Sequence, residues 1–427
     1  MELDAISQPE LEQIERIGNA DLVIGILGEG PEQGGSAVEM TREALMELSN
    51  PVRPPLRAMV VCNNGAHGEA AAEPNVAAEK VSGDNHVPAV FFCSLPLRGP
   101  AETLQQNISN SYRRVFAVGG KLGVRACGVI ASRPQGVARR WIHSLVQPVL
   151  ELGFDLVAPC YARQRMEGLL NKSVLSPLHR ALYGQALQNP MGPDFGLSGR
   201  LLQQVVGQDS ARRRAERNSL ALIASAAACG DFQVCESQLG VRTQRPTDWE
   251  NLSSLLSEIL GVAFLEMEER AAHWQSVRGS KTLPAFGAPE TLPPDTGTVD
   301  VHGMIESFQL GTQNLQDVWG VILPPGTMLE LHRMARLPEG QFRFPDSVWV
   351  RIVYDFALGH RLRTISRDHL LRSITPLYLG WIASYALETQ SAGPKEIDSR
   401  MEGLSKAYED HKSYLVSRWR WPDRFNP

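Results

Sequence analysis

The chain has 427 residues, of which 43% are hydrophobic and 21% charged, with a formal net charge of −5. That balance excludes wholesale disorder, and the length exceeds what one typical core serves, so two domains are expected. Lys and Arg are dispersed and leave no electrostatic footprint for nucleic acid; the densest basic run, Arg212, Arg213, Arg214 and Arg217, reads as a solvated helical face.

In chain order, the opening residues are acidic and polar (Glu2, Asp4, Gln8, Glu10) and carry no signal-sequence pattern. Residues 21–27 (DLVIGIL) form a continuous apolar run, as expected for a strand covered on both faces of a parallel sheet. A Gly-rich turn, a helix over 38–48 and a second apolar run over 57–62 (RAMVVC) complete a βαβ opening. The alternation returns with a strand at 89–92 (AVFF), a helix over 101–118 and a strand at 125–130. Val137, Trp141, Leu145 and Val149 then recur at helical spacing before a short strand at 155–158. Ligands of such a sheet are expected at the carboxyl ends of its strands.

The apolar run at 220–228 is too short to cross a bilayer of ~30 Å, so no membrane span and a cytoplasmic location are expected. Leu252, Leu255, Leu256, Ile259 and Leu260 form a helical stripe. Residues 276–300 are rich in Pro, Gly and Thr and read as a linker or extended strap, dividing a domain at 1–275 from a mostly helical region at 301–427. That last region is dense in large apolar groups (Trp349, Tyr354, Phe356, Tyr378, Leu379, Trp381, Ile382), which makes it the expected assembly surface. The six cysteines, Cys62, Cys93, Cys127, Cys160, Cys229 and Cys235, show no CxxC spacing and read mostly as buried free thiols.

Residues 156–199, LVAPCYARQRMEGLLNKSVLSPLHRALYGQALQNPMGPDFGLSG, carry a resemblance. They are similar to the YARHKYDGTITN, YPLTRALYG and QPIGGDFGFSG stretches of glucosylglycerate and glucosyl-3-phosphoglycerate synthases, in the same order. FQVCESQLGVR (232–242) looks like that family's FRVCQVNLGVR, and FRFPDSVWVRIVYDFALGHR and HLLRSITPLYLG look like its helical extension. The resemblance implies an α/β fold of GT-A type, a Rossmann-like nucleotide-sugar domain with a mostly helical C-terminal extension. It also implies glucose transfer from a nucleotide-sugar to a small acid acceptor, helped by a divalent metal on the donor diphosphate, and a homo-oligomer. Fold resemblance does not decide activity.

Residue by residue, the implied machinery is depleted. The family's Asp-Ser-Asp strand end corresponds to Ala131, Ser132 and Arg133, which removes both carboxylates and adds a cation. Its metal-binding His corresponds to Gln244, and an acidic helix-start residue to Leu220. The donor turn corresponds to Asn63 and Asn64 with His67, and a donor-phosphate lysine to Arg98, so the donor-binding candidates are Asn63, Asn64, Arg98, Ser132 and Arg133. The acceptor-binding candidates that survive are Arg163, Arg165, Glu167, Asp194, Gly196 and Arg242, with Asp194 and Arg133 as catalytic candidates. For Asp194 a turn-stabilising role competes with one on a sugar hydroxyl. His67, in the donor turn, and His302, with no matched site residue nearby, are not expected to be catalytic, and His143 and His179 read as helix residues that pack or face solvent.

No metal and no cofactor are expected. The leading expectation is a non-catalytic relative that pairs with an active relative or with itself. The alternative is a metal-independent glycosyltransferase in which Arg133, helped by Arg98 or Arg245, neutralises the donor diphosphate. A third reading puts a functional acid elsewhere, at Asp155 or Asp194.

Overall fold

The computed structural model describes residues 12, 14–15, 18–27, 34–48, 55–63, 76–78, 89–94, 104–131, 138–211, 219–242, 251–290, 292 and 299–422. Two compact units weave through the chain: the first takes Met1–Ala162, Asn189–Thr243 and Leu283–Glu290, and the second takes Arg163–Gln188, Gln244–Thr282 and Thr291–Pro427. The units are therefore discontinuous in sequence, whereas the reading from sequence cuts the chain at 275 and 300.

In the first unit nine strands form one sheet: β1 (Leu22–Leu27), β2 (Arg57–Asn63), β3 (Val76–Ala78), β4 (Ala89–Ser94), β5 (Ala126–Ile130), β6 (Leu156–Ala162), β7 (Phe195–Ser198), β8 (Val234–Val241) and β9 (Ala285–Phe286). Their order is β3-β4-β2-β1-β5-β7-β6-β8-β9. β3 runs antiparallel to β4, and β7 runs antiparallel to both β5 and β6; the remaining pairs are parallel. The carboxyl ends of β1, β2, β4, β5, β6 and β8 thus share one edge with the amino end of β7. The strand order turns back at β1 and β5, the place where open α/β sheets bind ligands.

Residues of β1 and β5 are buried along their whole length, which is why they read as unbroken apolar runs. Helices Gly34–Leu48 and Ala138–Leu152 pack against each other, and the second lies on β5, β6, β7 and β8; Leu104–Leu122 packs with Gly199–Ala211, and the two contact β1 and β7. Glycine permits this close contact. A Cβ on Gly196 of β7 would sit 2.0 Å from the Leu145 carbonyl oxygen, and one on Gly199 would sit 2.0 Å from that of Val124. The segment expected as a strap contributes β9, whose Ala285 and Phe286 pair with Glu236 and Ser237. Among the described residues five cysteines are buried and Cys229 is half-buried, none of them in a disulfide, and no helix is long and apolar enough to cross a membrane.

Helices make up the second unit, among them Leu252–Glu269, Val301–Asn314, Asp346–Leu362, Thr375–Glu388, Pro394–Asp410 and Lys412–Arg420. One expectation is corrected here. Trp349, Tyr354, Phe356, Tyr378, Trp381 and Ile382 are buried within this unit and offer no assembly surface. Trp349 packs on Tyr378 and Trp381, at 5.7 and 6.1 Å between ring centroids, and Trp381 stacks on Tyr385 at 5.5 Å. Rings of this size bury enough apolar area to form a helical core by themselves.

Candidate functional site

At the carboxyl edge of the sheet, the chain leaves β5 at Ala131 and enters β7 just after Asp194. Because β5 and β7 are antiparallel, with Val129 opposite Phe195, these two residues end up side by side. Asp194 is fully buried. Its Oδ1 accepts the Ala131 N–H at 2.7 Å, and its Oδ2 accepts the Tyr161 hydroxyl at 2.5 Å. Arg242 Nε lies 3.4 Å from the same Oδ2, and the guanidinium stands over the Tyr161 ring, 5.4 Å from its centroid. One carboxylate therefore joins the ends of β5, β6 and β8.

The string LGVR makes this geometry possible. Between β6 and β8 the register shifts after Cys160, so that Cys160 faces Gln238 while Tyr161 faces Gly240, and Leu239 is left over as a bulge. Gly240 has φ +80°, a conformation that glycine adopts without steric cost. The bulge turns the Leu239 carbonyl toward the Trp141 indole N–H, which donates to it at 2.6 Å. Trp141 in turn packs on Tyr161 at 6.1 Å. Past the bulge, Glu290 accepts the Val241 N–H at 3.2 Å.

A second layer holds the Asp194 turn from below. Tyr112 donates its hydroxyl to the Pro193 carbonyl at 3.0 Å and stacks on Phe195 at 5.7 Å. Burial, and then the Asp194 charge, push the Tyr112 pKa well above the usual phenol value, so it stays a donor. Asn189 Nδ2 donates to the Pro159 carbonyl at 2.9 Å, and a Cβ on Gly192 would strike the Pro159 ring.

Among the sequence-derived candidates, Asp194, Gly196 and Arg242 come together in the first unit, and Gly196 is committed to the contact with Leu145. Arg163, Arg165 and Glu167 lie in one loop of the second unit. There Glu167 accepts the Gln164 N–H at 2.9 Å, Arg163 lies against Gly168, and Arg165 reaches the Ala386 carbonyl and Thr389 Oγ1, both at 3.4 Å. For Asn63, which ends β2, only the backbone is described. Asn64, His67, Arg98, Ser132, Arg133, Arg212, Arg213, Arg214, Arg217, Gln244 and Arg245 lie outside the described residues, and of Leu220 only the helical backbone is described.

Asp155, the other acid considered, sits at the opposite, amino end of β6. It accepts from Ser198 Oγ at 2.6 Å, Arg200 Nη2 at 2.6 Å and the Gln233 N–H at 2.9 Å. Burial would raise its pKa, but Arg200, Ser198 and Gln233 together hold it below the usual carboxylate value. It is a structural tie. His302 is exposed beside Glu339, which raises its pKa, and buried His179 is pushed down to about 3.

Tyr161, Tyr112 and Trp141 hold the edge together, yet the sequence reading gave them no role there. Only Tyr161 had a usable signal, its place at the strand end two residues before Arg163.

The described edge does not fit a divalent cation. At its carboxyl end β5 presents the Ala131 methyl group and backbone N–H. The neighbouring carboxylate already accepts an N–H and an O–H and has a guanidinium beside it. Hard cations need free carboxylate oxygens, and an adjacent fixed positive charge opposes them.

No protein-family model matches the chain, and no curated protein matches it in sequence. Its fold is similar to solved structures of glucosyl-3-phosphoglycerate synthase from Mycobacterium tuberculosis. The one in complex with Mn²⁺, UDP-glucose and phosphoglyceric acid has 15% identity over 61% of this chain and 84% of that chain, with a TM-score of 0.32. It is also similar to mannosyl-3-phosphoglycerate synthase from Rubrobacter xylanophilus, with 14% identity over 63% of this chain and 80% of that one, and a TM-score of 0.31.

Proposed function

We propose that the chain is a non-catalytic relative of the nucleotide-glucose:glycerate or 3-phosphoglycerate glucosyltransferases, which keeps the nucleotide-sugar fold and acts as a binding or assembly protein. The sequence resemblance across residues 156–242 and the doubly covered α/β sheet support the ancestry. The loss of function is carried by one observation: at the end of β5, where the resemblance requires metal-binding carboxylates, Ala131 stands with its N–H on Asp194, and Asp194 is spent on Tyr161 and Arg242. A transferase of this kind must neutralise a departing diphosphate, and among its described residues this edge lacks the groups to hold an ion for that purpose. A small acid acceptor and an active relative, or a second copy of the chain, are the partners this reading implies.

Titration of the purified protein with UDP-glucose and GDP-glucose, with and without Mn²⁺, followed by heat release and by sugar transfer to glycerate, tests it. The proposal expects no turnover. Metal-indifferent turnover abolished in Arg133→Ala would replace it with the metal-independent transferase.

A further inference from the structure

Within the second unit, Asn171–Leu175 is a π turn that runs directly into the helix Ser176–Tyr183. Its defining bond is from the Ser176 N–H to the Asn171 carbonyl, five residues back. Such turns are rare, and where they occur they often sit at functional positions. The local sequence explains this one. In a regular α-helix the Ser173 carbonyl would accept the N–H of residue 177, but residue 177 is proline and has none. A buried carbonyl that loses this donor draws on other groups. Two distant side chains do so: Tyr408 donates its hydroxyl to the Ser173 carbonyl at 3.0 Å and Trp349 its indole N–H at 3.3 Å, and both side chains are fully buried.

We propose that this π turn is a hinge, latched by Tyr408 and Trp349, that positions the loop 163–168. The loop hangs from the turn. The Lys172 N–H donates to the Gly168 carbonyl at 3.0 Å, and Lys172 Nζ to the Gln164 carbonyl at 3.1 Å. Gly168, at φ +63°, lies under the Arg163 guanidinium. The loop's bonds to the helix Thr375–Glu388 and the residue after it are longer: 3.4 Å from Arg165 to Ala386 and to Thr389, and 3.5 Å from Tyr385 to the Arg165 carbonyl. Bonds near 3.0 Å hold more firmly than bonds near 3.5 Å, so the loop follows the turn. Opening the latch releases Arg163, Arg165 and Glu167 together.

Hydrogen exchange read peptide by peptide tests the latch in the full chain, through the variants Tyr408→Phe, Pro177→Ala and their combination. Losing the Tyr408 donor speeds exchange of the amides of residues 168–175 about tenfold, the size expected for one buried hydrogen bond. The helix Thr375–Glu388 stays protected. Restoring an N–H at position 177 gives the Ser173 carbonyl a local donor, so the combined variant recovers most of the protection, a rescue that mere core packing by Tyr408 would not produce. Unchanged exchange in Tyr408→Phe, or equal acceleration with and without Pro177, overturns the proposal. Should Tyr408→Phe fail to fold, Pro177→Ala alone decides: protection of residues 168–175 rises if the hinge is latched as described, and stays the same or falls if it is not.

Discussion

The two units solve the burial of polar groups in different ways. In the first, aliphatic strands form the core, and buried carboxylates stand at the strand ends, Asp155 at one edge and Asp194 at the other. Each gathers several donors, so a single acid ties several strands. In the second, apart from Tyr112 of the first unit, lie the largest fully buried side chains among the described residues, including four tryptophans. Its polar groups are strung between helices: Asp355 accepts the Tyr414 hydroxyl, at 2.9 and 2.8 Å, and forms an ion pair with Arg418, whose Nε lies 2.8 Å away. Polar chemistry at strand ends is where a sheet protein holds ligands; here it has been turned inward. In the helical unit the same kind of chemistry ties helices to one another.

The aromatic core of the second unit should be the most sensitive place. Trp381→Ala is expected to cost about 3–5 kcal/mol in urea denaturation, from lost burial and the cavity left behind. A loss under about 1 kcal/mol would mean that ring packing is not what distinguishes the units. Next come the two buried acids. Asp355→Ala strands Arg418 and should cost about 3 kcal/mol or more, and Asp194→Ala a similar amount through Tyr161, Ala131 and Arg242. A double-mutant cycle of Asp194→Ala with Tyr161→Phe should be less than additive, since both variants remove the same bond; strict additivity would break the picture of one shared carboxylate.

Acid should also separate the units. Burial holds His179 down to about 3, and burial with Arg367 and Arg363 holds His360 down to about 4. Unfolded histidines take up protons near 6.5, so the stability these two histidines contribute to the second unit is complete above that pH and is lost as pH falls through 6.5 toward 4 and 3, while buried Asp355, pushed up to about 7, opposes that loss. Asp155, held below its usual value of 3.8, contributes stability to the first unit that is lost only below that value. Near-ultraviolet circular dichroism against pH should show the tryptophan signal decaying first, and His179→Phe should flatten that decay. The smallest effect is expected for the exposed Arg372–Asp368 pair, whose loss in Arg372→Ala should change stability by less than about 0.5 kcal/mol.

Strands β1, β2, β4 and β5 were legible because a strand covered on both faces must be apolar throughout. β7 has only four residues, β8 carries Glu236, Ser237 and Gln238 in its middle, and β9 is two residues between Pro284 and Gly287, so periodicity had little to act on. Asp194 and Arg242 were named from sequence and do meet. That the meeting leaves Asp194 without solvent depends on the bulge at Gly240 and on the antiparallel entry of β7, neither of which a linear pattern encodes. The π turn was equally hidden, although Pro177 announces that Ser173 needs a partner.

Electron paramagnetic resonance of Mn²⁺ titrated with the protein in the presence of UDP addresses the central claim without requiring turnover. The hexaaquo signal should be no smaller with millimolar protein than with the same Mn²⁺ and UDP alone, because among the described residues the end of β5 offers the ion no oxygen pair. Its disappearance at stoichiometric protein, reversed by Asp194→Asn, would show that the carboxylate assigned here to Tyr161 and Arg242 binds metal after all.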